Sequence, residues 1–327
     1  MLRAPVLSAV LAIAALVIAS ALIIDRVADI REARIEARFP PTSEIVTVEG
    51  REIHVTVMGE GPDLVLIHGA GGNSREFMTE IGEELAQNYR LFIVDRPGFG
   101  WSERISRNNR NPFTTIAASP ADQAHILSAA VTAKGASAPL VLGHSFGGAV
   151  AMAWGLNEPA TGLVIVSGAT MPWPGKLDAY YRILGNSVGG AVLPPLISAF
   201  VSTKRVDTTL SGVFAPQPVP VGYRERAATM LATRARSLRA NGRQVNNLRP
   251  HIVEMSAHYP DMALPTEILH GDVDTTTPMV THAIPLSETL PNANLTIMEG
   301  IGHMPHQVAT GDVIAAIDRV ATRAGLR

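Results

Sequence analysis

The sequence predicts an α/β fold: a mostly parallel central sheet flanked by helices, with a helical insertion and an N-terminal transmembrane helix ahead of it. Three observations support this fold class. Short, nearly continuous apolar runs alternate with helical patterns, as expected for parallel strands that are covered on both faces. The segment 169–264 interrupts this alternation and has no clear central strand. The uncharged residues 5–24 would form a helix of roughly 30 Å, the thickness of a bilayer core.

The N-terminal apolar segment, PVLSAVLAIAALVIASALII, has two other interpretations. A cleaved signal peptide is one, because Ala19-Ser20-Ala21 resembles a cleavage site; its apolar core is normally only about 7–15 residues long. A buried core helix is the other, although a helix that is apolar all round is unusual at a chain end. We therefore expect a membrane anchor at 5–24. The alternating charges of 25–38 predict a solvated helical stalk that ends at Pro40.

The charges around the anchor give opposing indications of its topology. Four arginines follow the span (Arg26, Arg31, Arg34 and Arg38) and Arg3 precedes it, which favours a cytoplasmic domain. A short N-terminus before a signal-like apolar run favours export instead, and we expect a periplasmic or otherwise extracytoplasmic domain. Protease accessibility in intact spheroplasts distinguishes the two. We expect a chain that begins near Thr42 to be soluble and active without the anchor.

Composition excludes several classes of function. The chain has 327 residues and a net charge of −2, so no basic surface predicts binding of nucleic acid. Because it has no cysteine, it has no disulfide, no thiolate nucleophile and no cysteine-ligated zinc. The sequence predicts no metal and no other cofactor, and it indicates no oligomeric state. The part from residue 42 onward has a length that suits one large domain with an insertion.

The globular part is expected to begin with a β-hairpin at 44–61 that turns at Glu49-Gly50. Strands are predicted at 63–69, 90–96, 139–145, 162–168, 266–272 and 294–300. Helices are predicted at 74–87, 119–135, 146–157, 224–242 and 312–324, with Ser119 as an N-cap. Strand–helix alternation implies right-handed crossovers between parallel strands. The chain is divided into an anchor and stalk (1–41), a first core part (42–168), a lid (169–264) and a second core part (265–327).

One serine lies between a predicted strand and a predicted helix in LVLGHSFGGAVA, residues 140–151. Gly143 and Gly147 flank Ser145 in the G-x-S-x-G pattern of a strained turn that exposes a serine hydroxyl. A plain glycine-rich turn is the alternative. The next residue, Phe146, would start the helix, so its backbone N–H would face whatever Ser145 attacks.

The sequence resembles the α/β-hydrolase family, in the branch with a serine nucleophile and a helical lid. The resemblance covers residues 44–324 and rests on five motifs in the family's order. They are HGAGGN (68–73), DRPGFGWS (95–102), GHSFGG (143–148), GDVDTTTP (271–278) and GIGHMPH (300–306). Each motif alone is moderate evidence, and five in the expected order are strong evidence.

The resemblance implies a Ser-His-Asp triad and an oxyanion hole. Ser145 would be the nucleophile and His303 the base that takes its proton. The backbone N–H groups of Ala70 and Phe146 would form the oxyanion hole. His306 is the weaker histidine candidate and is expected to pack or cap. Asp95, in DRPGFGWS, resembles a structural turn residue of the family and is left out of the catalytic set.

Two aspartates compete for the role of triad acid. Asp272 and Asp274 are two residues apart, so in an extended segment they share a face and alternation does not separate them. The family's pattern at this place is Gly, two residues, Asp, which counts from Gly271 to Asp274. We assign the acid to Asp274. Asp272 would position it through an Asx-turn to the N–H two residues on.

The resemblance implies a serine hydrolase that cleaves a carboxylic ester, or a related acyl bond, of a small molecule through an acyl-enzyme. A serine at this turn argues against the relatives that open epoxides or displace halide with an aspartate. The lid's apolar and aromatic residues favour an apolar acyl group: Met171, Trp173, Tyr180, Tyr181, Phe200 and Phe214. Alternatives are a cofactor-free haloperoxidase or a carbon–carbon bond hydrolase on the same triad. A membrane-tethered binding protein that has lost activity is the alternative from another class.

Overall fold

Eight strands form one sheet in the computed structural model, which describes residues 4–105 and 111–327. The strands are β1 (Ile45–Val48), β2 (Arg51–Met58), β3 (Asp63–Ile67), β4 (Arg90–Val94), β5 (Leu140–His144), β6 (Gly162–Val166), β7 (Thr266–Gly271) and β8 (Ala293–Met298). Their order across the sheet is β1-β2-β4-β3-β5-β6-β7-β8. Strand β2 is antiparallel to both β1 and β4, and the remaining neighbours are parallel. The predicted fold class is therefore confirmed.

Both faces of the sheet are covered by helices. The helices are α1 (Ala4–Arg38), α2 (Glu80–Leu85), α3 (Pro120–Ala133), α4 (Phe146–Asn157), α5 (Ala179–Gly185), α6 (Ser187–Phe200), α7 (Thr203–Phe214), α8 (Tyr223–Arg226), α9 (Ala235–Ser256), α10 (Ala283–Thr289), α11 (Pro305–Val308) and α12 (Thr310–Arg323). One core cluster joins the sheet to α3 and α4, and a second joins its other face to α2 and α12. This double covering explains why the parallel strands are nearly continuous apolar runs.

The hairpin and the first crossover helix follow from local sequence. Glu49 and Gly50 both have positive φ, as the two-residue turn between β1 and β2 requires. Ser119 caps α3 in a full capping box, because its hydroxyl accepts the N–H of Asp122 while the Asp122 carboxylate accepts the N–H of Ser119. Pro120 occupies the first turn, where its missing N–H costs nothing. Both predictions are confirmed.

Two segments that were each predicted to form one helix are divided into shorter helices in the structure. The segment 74–87 forms a short 3₁₀ helix, Ser74–Phe77, and then α2, because Asp95 accepts the N–H of Ser74 and fixes the first turn separately. The segment 224–242 is broken as well: Ala228 adopts a left-handed conformation after α8, and a 3₁₀ helix precedes α9. In both places tertiary contacts override helix propensity.

Helices α5 to α9 lie between β6 and β7, in the part of the chain where the sequence predicts an insertion. The longest of them, α9, packs against α5 and α6. We refer to 169–264 as the helical insertion. It contains the aromatic side chains that the sequence assigned to a lid.

Helix α1 is continuous from Ala4 to Arg38, and its apolar part is exposed. Its length and composition suit a membrane span, in agreement with the predicted anchor. The prediction of a solvated stalk was wrong for one face of residues 28–39. Ala28, Ile35 and Phe39 are buried and recur at helical spacing; Ile35 and Phe39 pack against residues 228–231 of the insertion, and α1 also contacts α6.

The charged residues of this face are also engaged. Glu36 pairs with the fully buried guanidinium of Arg234 at 2.9 Å, and Arg234 also donates to the carbonyl of Gly100. Burial lowers the pKa of Arg234 to about 10. Glu32 accepts hydrogen bonds from the Ser198 hydroxyl and from the N–H of Ala235, both at 2.7 Å. The end of α1 is therefore part of the packing of the insertion.

Truncation at Thr42 is consequently expected to destabilise the domain, whereas truncation at Asp25 is not. The shorter chain loses Glu36, the partner of Arg234, together with the buried Ile35 and Phe39 side chains, whose burial contributes roughly 3–5 kcal/mol in total. For a domain of this size that lowers Tm by roughly 6–20 °C. Thermal unfolding of the two soluble chains, one from Asp25 and one from Thr42, measures the difference. Equal Tm values would show that residues 25–41 contribute nothing to stability.

Candidate active site

The carboxyl ends of the parallel strands meet at one edge of the sheet, where ligands bind in open α/β folds. Ser145 directly follows β5, and the loop at 69–72 follows the neighbouring β3. Asp274 lies in the loop after β7, and His303 in the loop after β8. Residues from four separate motifs therefore come together because their strands are parallel.

The turn at Ser145 is strained, as its sequence predicts. Ser145 has φ +53° and ψ −118°, a region that L-residues rarely adopt. A Cβ at Gly143 would lie 2.2 Å from the carbonyl oxygen of Gly147, and one at Gly147 would lie 2.3 Å from that of Ile67. Glycine at both positions is thus required by close backbone approach.

Ser145, His303 and Asp274 form a continuous hydrogen-bonded chain. The Nε2 atom of His303 is 3.0 Å from the Oγ of Ser145, and its Nδ1 atom is 2.8 Å from Oδ2 of Asp274. An ionised carboxylate only accepts, so Nδ1 carries the proton and donates to Asp274. Nε2 is then the acceptor for the Ser145 hydroxyl. This is the geometry that a serine nucleophile and its base require.

Asp274 is held as a carboxylate by its surroundings. Its Oδ1 accepts the N–H groups of Thr276 (2.8 Å) and Thr277 (3.1 Å), and its Oδ2 accepts the Thr277 hydroxyl at 2.9 Å. Burial alone would raise the pKa of Asp274, but hydrogen bonds from His270 and His303 outweigh it. Its pKa therefore lies well below the ordinary value.

Asp272 does not make the predicted Asx-turn. Its Oδ1 accepts the N–H of Gly300 at 2.7 Å, in the loop that carries His303. The turn bond to the N–H two residues on is made by Asp274 instead, to Thr276. The prediction for Asp272 was wrong because an exposed side chain can reach across to the neighbouring loop as easily as along its own.

The two residues predicted for the oxyanion hole lie in the loop after β3 and at the start of α4. Ala70 lines the same cavity as Ser145, and a Cβ at the adjacent Gly69 would lie 3.0 Å from Cβ of Ser145. Phe146 is the first residue of α4, where a backbone N–H has no partner within the helix. Its ring lies 4.2 Å below the buried Arg96 guanidinium, which fixes the start of the helix.

A buried cluster that the sequence did not predict, formed by Glu76, His144 and His306, contacts the backbone of His303. Glu76 Oε1 lies 2.9 Å from Nδ1 of His144 and 3.0 Å from Nε2 of His306. Nε2 of His144 donates to the backbone carbonyl of His303 at 2.9 Å. Burial would raise the pKa of Glu76, but the neighbouring imidazoles hold it well below its ordinary value. His306 thus packs, as expected, and Glu76 could have been noticed only by its closeness to HGAGGN.

These three residues also form a group whose ligand atoms lie close enough for a metal ion. Each of the ligand atoms already takes part in the hydrogen bonds described above, and those bonds account for the arrangement. Asp95 has a structural role of a similar kind. It is buried and accepts from His54, Ser74 and Trp101, in line with its exclusion from the catalytic set.

A cavity of about 770 Å³ extends from Ser145 and His303 into the helical insertion. Four of the six predicted lid residues line it: Tyr180, Tyr181, Phe200 and Phe214. The other two, Met171 and Trp173, pack against the main core instead. Further apolar lining comes from α6, α7 and α9, through Leu196, Ile197, Val206, Leu210, Val213 and Leu238. The cavity is large enough and apolar enough for a hydrocarbon chain.

The parallel sheet and the serine at its strained turn define the class of an α/β-type hydrolase. The chain belongs to the alpha/beta hydrolase family, whose model matches residues 64–317. A protein of Mycobacterium tuberculosis with uncharacterized function is 27% identical over 293 residues, which cover 86% of this chain and 81% of the relative.

Two further comparisons concern named activities. A pimeloyl-[acyl-carrier protein] methyl ester esterase of a Shewanella species is 31% identical over 160 residues, 46% of this chain and 54% of that protein. The solved structure of a membrane phospholipase A, a bacterial virulence factor, superposes with a TM-score of 0.62. It is 21% identical in sequence, and the match covers 96% of this chain and 98% of that one. At this identity the likeness concerns the fold.

Proposed function

We propose that this protein is a serine esterase that hydrolyses a carboxylic ester with an apolar acyl group through an acyl-enzyme. The observation that carries the proposal is the hydrogen-bonded chain from Asp274 through His303 to Ser145 at the end of an apolar cavity. One relative is named an esterase and one structural neighbour a phospholipase, and both names favour an acyl ester as substrate class.

The proposed reaction begins when Ser145 Oγ attacks the ester carbonyl while His303 Nε2 takes the hydroxyl proton. The N–H groups of Ala70 and Phe146 stabilise the negative charge that develops on the carbonyl oxygen. Asp274 stabilises the imidazolium, which then donates its proton to the leaving alcohol. Water, activated by the same His303, releases the acid and restores Ser145.

The helical insertion acts as a lid in this proposal, because α6 and α7 supply most of the apolar wall that faces Ser145. We propose further that α1 anchors the enzyme to a membrane and that the catalytic domain is extracytoplasmic. Protease treatment of intact spheroplasts tests the topology: degradation of the domain supports export, and protection contradicts it.

A series of p-nitrophenyl esters from acetate to palmitate tests the substrate class. We expect kcat/KM to rise with acyl length, since each buried methylene contributes about 0.8 kcal/mol. A fluorophosphonate probe should label the wild-type protein at Ser145 and leave Ser145→Ala unlabelled. Absence of both labelling and ester hydrolysis would favour the inactive binding protein, and peroxide-dependent halogenation would favour the haloperoxidase.

The pH dependence of kcat/KM follows from the burial of His303. Burial is the largest effect and lowers the pKa of His303 from its ordinary value of 6.5, although the Asp274 carboxylate raises it. Protonated His303 cannot accept the Ser145 proton, so activity is lost as pH falls through this lowered pKa. We expect an acid limb with its midpoint below pH 6.5 and a level rate from there to pH 8. A midpoint above pH 7 would contradict the burial effect.

A further inference from the structure

The end of α6 is fixed to α1 close to the predicted membrane span. Arg31 donates to the carbonyl oxygens of Ala199 and Val201, which close the C-terminal turn of α6. Glu32 accepts the hydroxyl of Ser198 at 2.7 Å. Arg31 lies seven positions after Ile24, the last residue of the apolar segment, or about 10 Å along the helix.

From this point α6 runs back toward the membrane span. Arg239 donates to the carbonyl oxygens of Gly190 (3.0 Å) and Ala191 (3.3 Å), near the start of α6. Helix α6 packs along α1, and the side of α1 that is covered includes the buried Ala28 and the half-buried Ile24. Ile24 is the last residue of the apolar segment, so α6 reaches the level where that segment ends.

The side of α6 that faces away from the protein is apolar and exposed at this level. Val188 is 65% exposed and Val192 is 49% exposed, and their spacing of four places them on one face. Residues 187–200 contain no charged side chain. In α1, Val27 and Ile30, which follow Asp25 within five positions, are also exposed. Apolar side chains exposed on one face of an uncharged helix that packs beside an apolar span favour contact with a membrane or a partner.

The other side of the same helix lines the cavity. Leu196 and Ile197 contribute to its wall, and Phe200, 65% exposed, lines it while also facing the solvent. The cavity therefore opens beside the end of α6 that Arg31 holds. A path leads from this opening, along apolar side chains, to Ser145.

We propose that α6 is a second membrane contact, with Val188 and Val192 in the lipid interface beside the anchor. We propose further that the substrate is a long-chain acyl ester that leaves the bilayer surface along α6 and enters the cavity at Phe200, about 10 Å beyond the span. A bilayer is favoured over a second protein copy because α6 packs against the helix that carries the span, and because α5 and α6 together are apolar enough to enter a membrane. The identity of the substrate rests on the proposed esterase function, whereas the membrane contact does not.

The contact can be measured on the full chain in phosphatidylethanolamine–phosphatidylglycerol vesicles. The sequence has no cysteine, so Val192→Cys can be labelled at a single site with an environment-sensitive fluorophore. The matched control is Val221→Cys, at a position 92% exposed beside α8, whose Glu225 pairs with Arg38 at the far end of α1. We expect blue-shifted emission and quenching by nitroxide-labelled acyl chains at position 192 but not at 221.

An unquenched, water-like label at position 192 would overturn the membrane contact. So would a label that is shielded from water in detergent-solubilised oligomers but is not quenched by lipid, because the partner would then be a second copy. The emission of the label and its quenching by lipid do not depend on catalysis. They therefore test the membrane contact even if the protein hydrolyses no ester.

The entry route is tested by the double variant Val188→Ser/Val192→Ser, with Val221→Ser as control. We expect hydrolysis of a long-chain ester embedded in vesicles to fall at least tenfold, because a tenfold change corresponds to only about 1.4 kcal/mol, less than the burial of two valine side chains contributes. Hydrolysis of a soluble butyrate ester should stay within about twofold, because neither valine lines the cavity. Equal losses on both esters, or no loss on either, would contradict entry from the bilayer.

Discussion

Ester hydrolysis by Ser145→Ala is expected to be about 10⁵- to 10⁶-fold slower than wild type, the scale seen when a triad nucleophile is removed. The alanine variant keeps the cavity and the oxyanion donors but has no atom that can form the acyl-enzyme. Alanine also tolerates the strained backbone no worse than serine does, so the fold should persist. The comparison requires kcat for a soluble butyrate ester, together with Tm to establish that the variant is folded.

The same measurement distinguishes a triad from an isolated serine. His303→Ala should cost nearly as much as Ser145→Ala, and the double variant little more, because the residues act as one unit. Independent, multiplying losses would mean that the 3.0 Å contact between Nε2 and Oγ has no role in the reaction. A Ser145→Ala protein that keeps a tenth of wild-type activity would refute the assignment of the nucleophile.

The sheet and the location of the candidate site could be predicted because they depend on short local patterns. Each parallel strand is a run of apolar residues, and each motif follows its strand within a few positions, so parallel topology alone brings the motifs to one edge. The turn around Ser145 was predictable for a similar reason, since Gly143 and Gly147 are required by contacts with chain segments that the motif itself defines.

The cluster behind His303 could not be predicted, because it depends on packing between distant segments. Glu76 belongs to a segment whose pattern indicates an ordinary amphipathic helix. Only the fold shows that Glu76 turns inward to His144 and His306. The prediction of a solvated stalk was wrong for the same reason. Alternating charges indicate a solvated helix, but Glu36 binds Arg234, which lies almost 200 residues further along the chain.

Asp274→Asn is expected to lower kcat about 10⁴-fold, the scale observed when a triad aspartate is replaced by asparagine. The structure explains why the amide would be harmful. The backbone N–H groups of Thr276 and Thr277 both point at Oδ1, so an asparagine at 274 must place its oxygen there. Its NH₂ group then faces Nδ1 of His303 and favours the tautomer in which Nε2 carries the proton and cannot accept from Ser145.

Asp272→Asn is the matched control two residues away, and we expect it to change kcat by no more than about twofold, as for most exposed positions. Its amide oxygen can still accept the N–H of Gly300, which is the bond the aspartate makes. Both variants should be measured with the same soluble ester at pH 8, where His303 is neutral. A deeper loss for Asp272→Asn than for Asp274→Asn would reverse the assignment of the acid. Equal and small losses would mean that His303 needs no carboxylate to hold its tautomer, because the Thr277 hydroxyl, 3.3 Å from Nδ1, would then suffice as the acceptor.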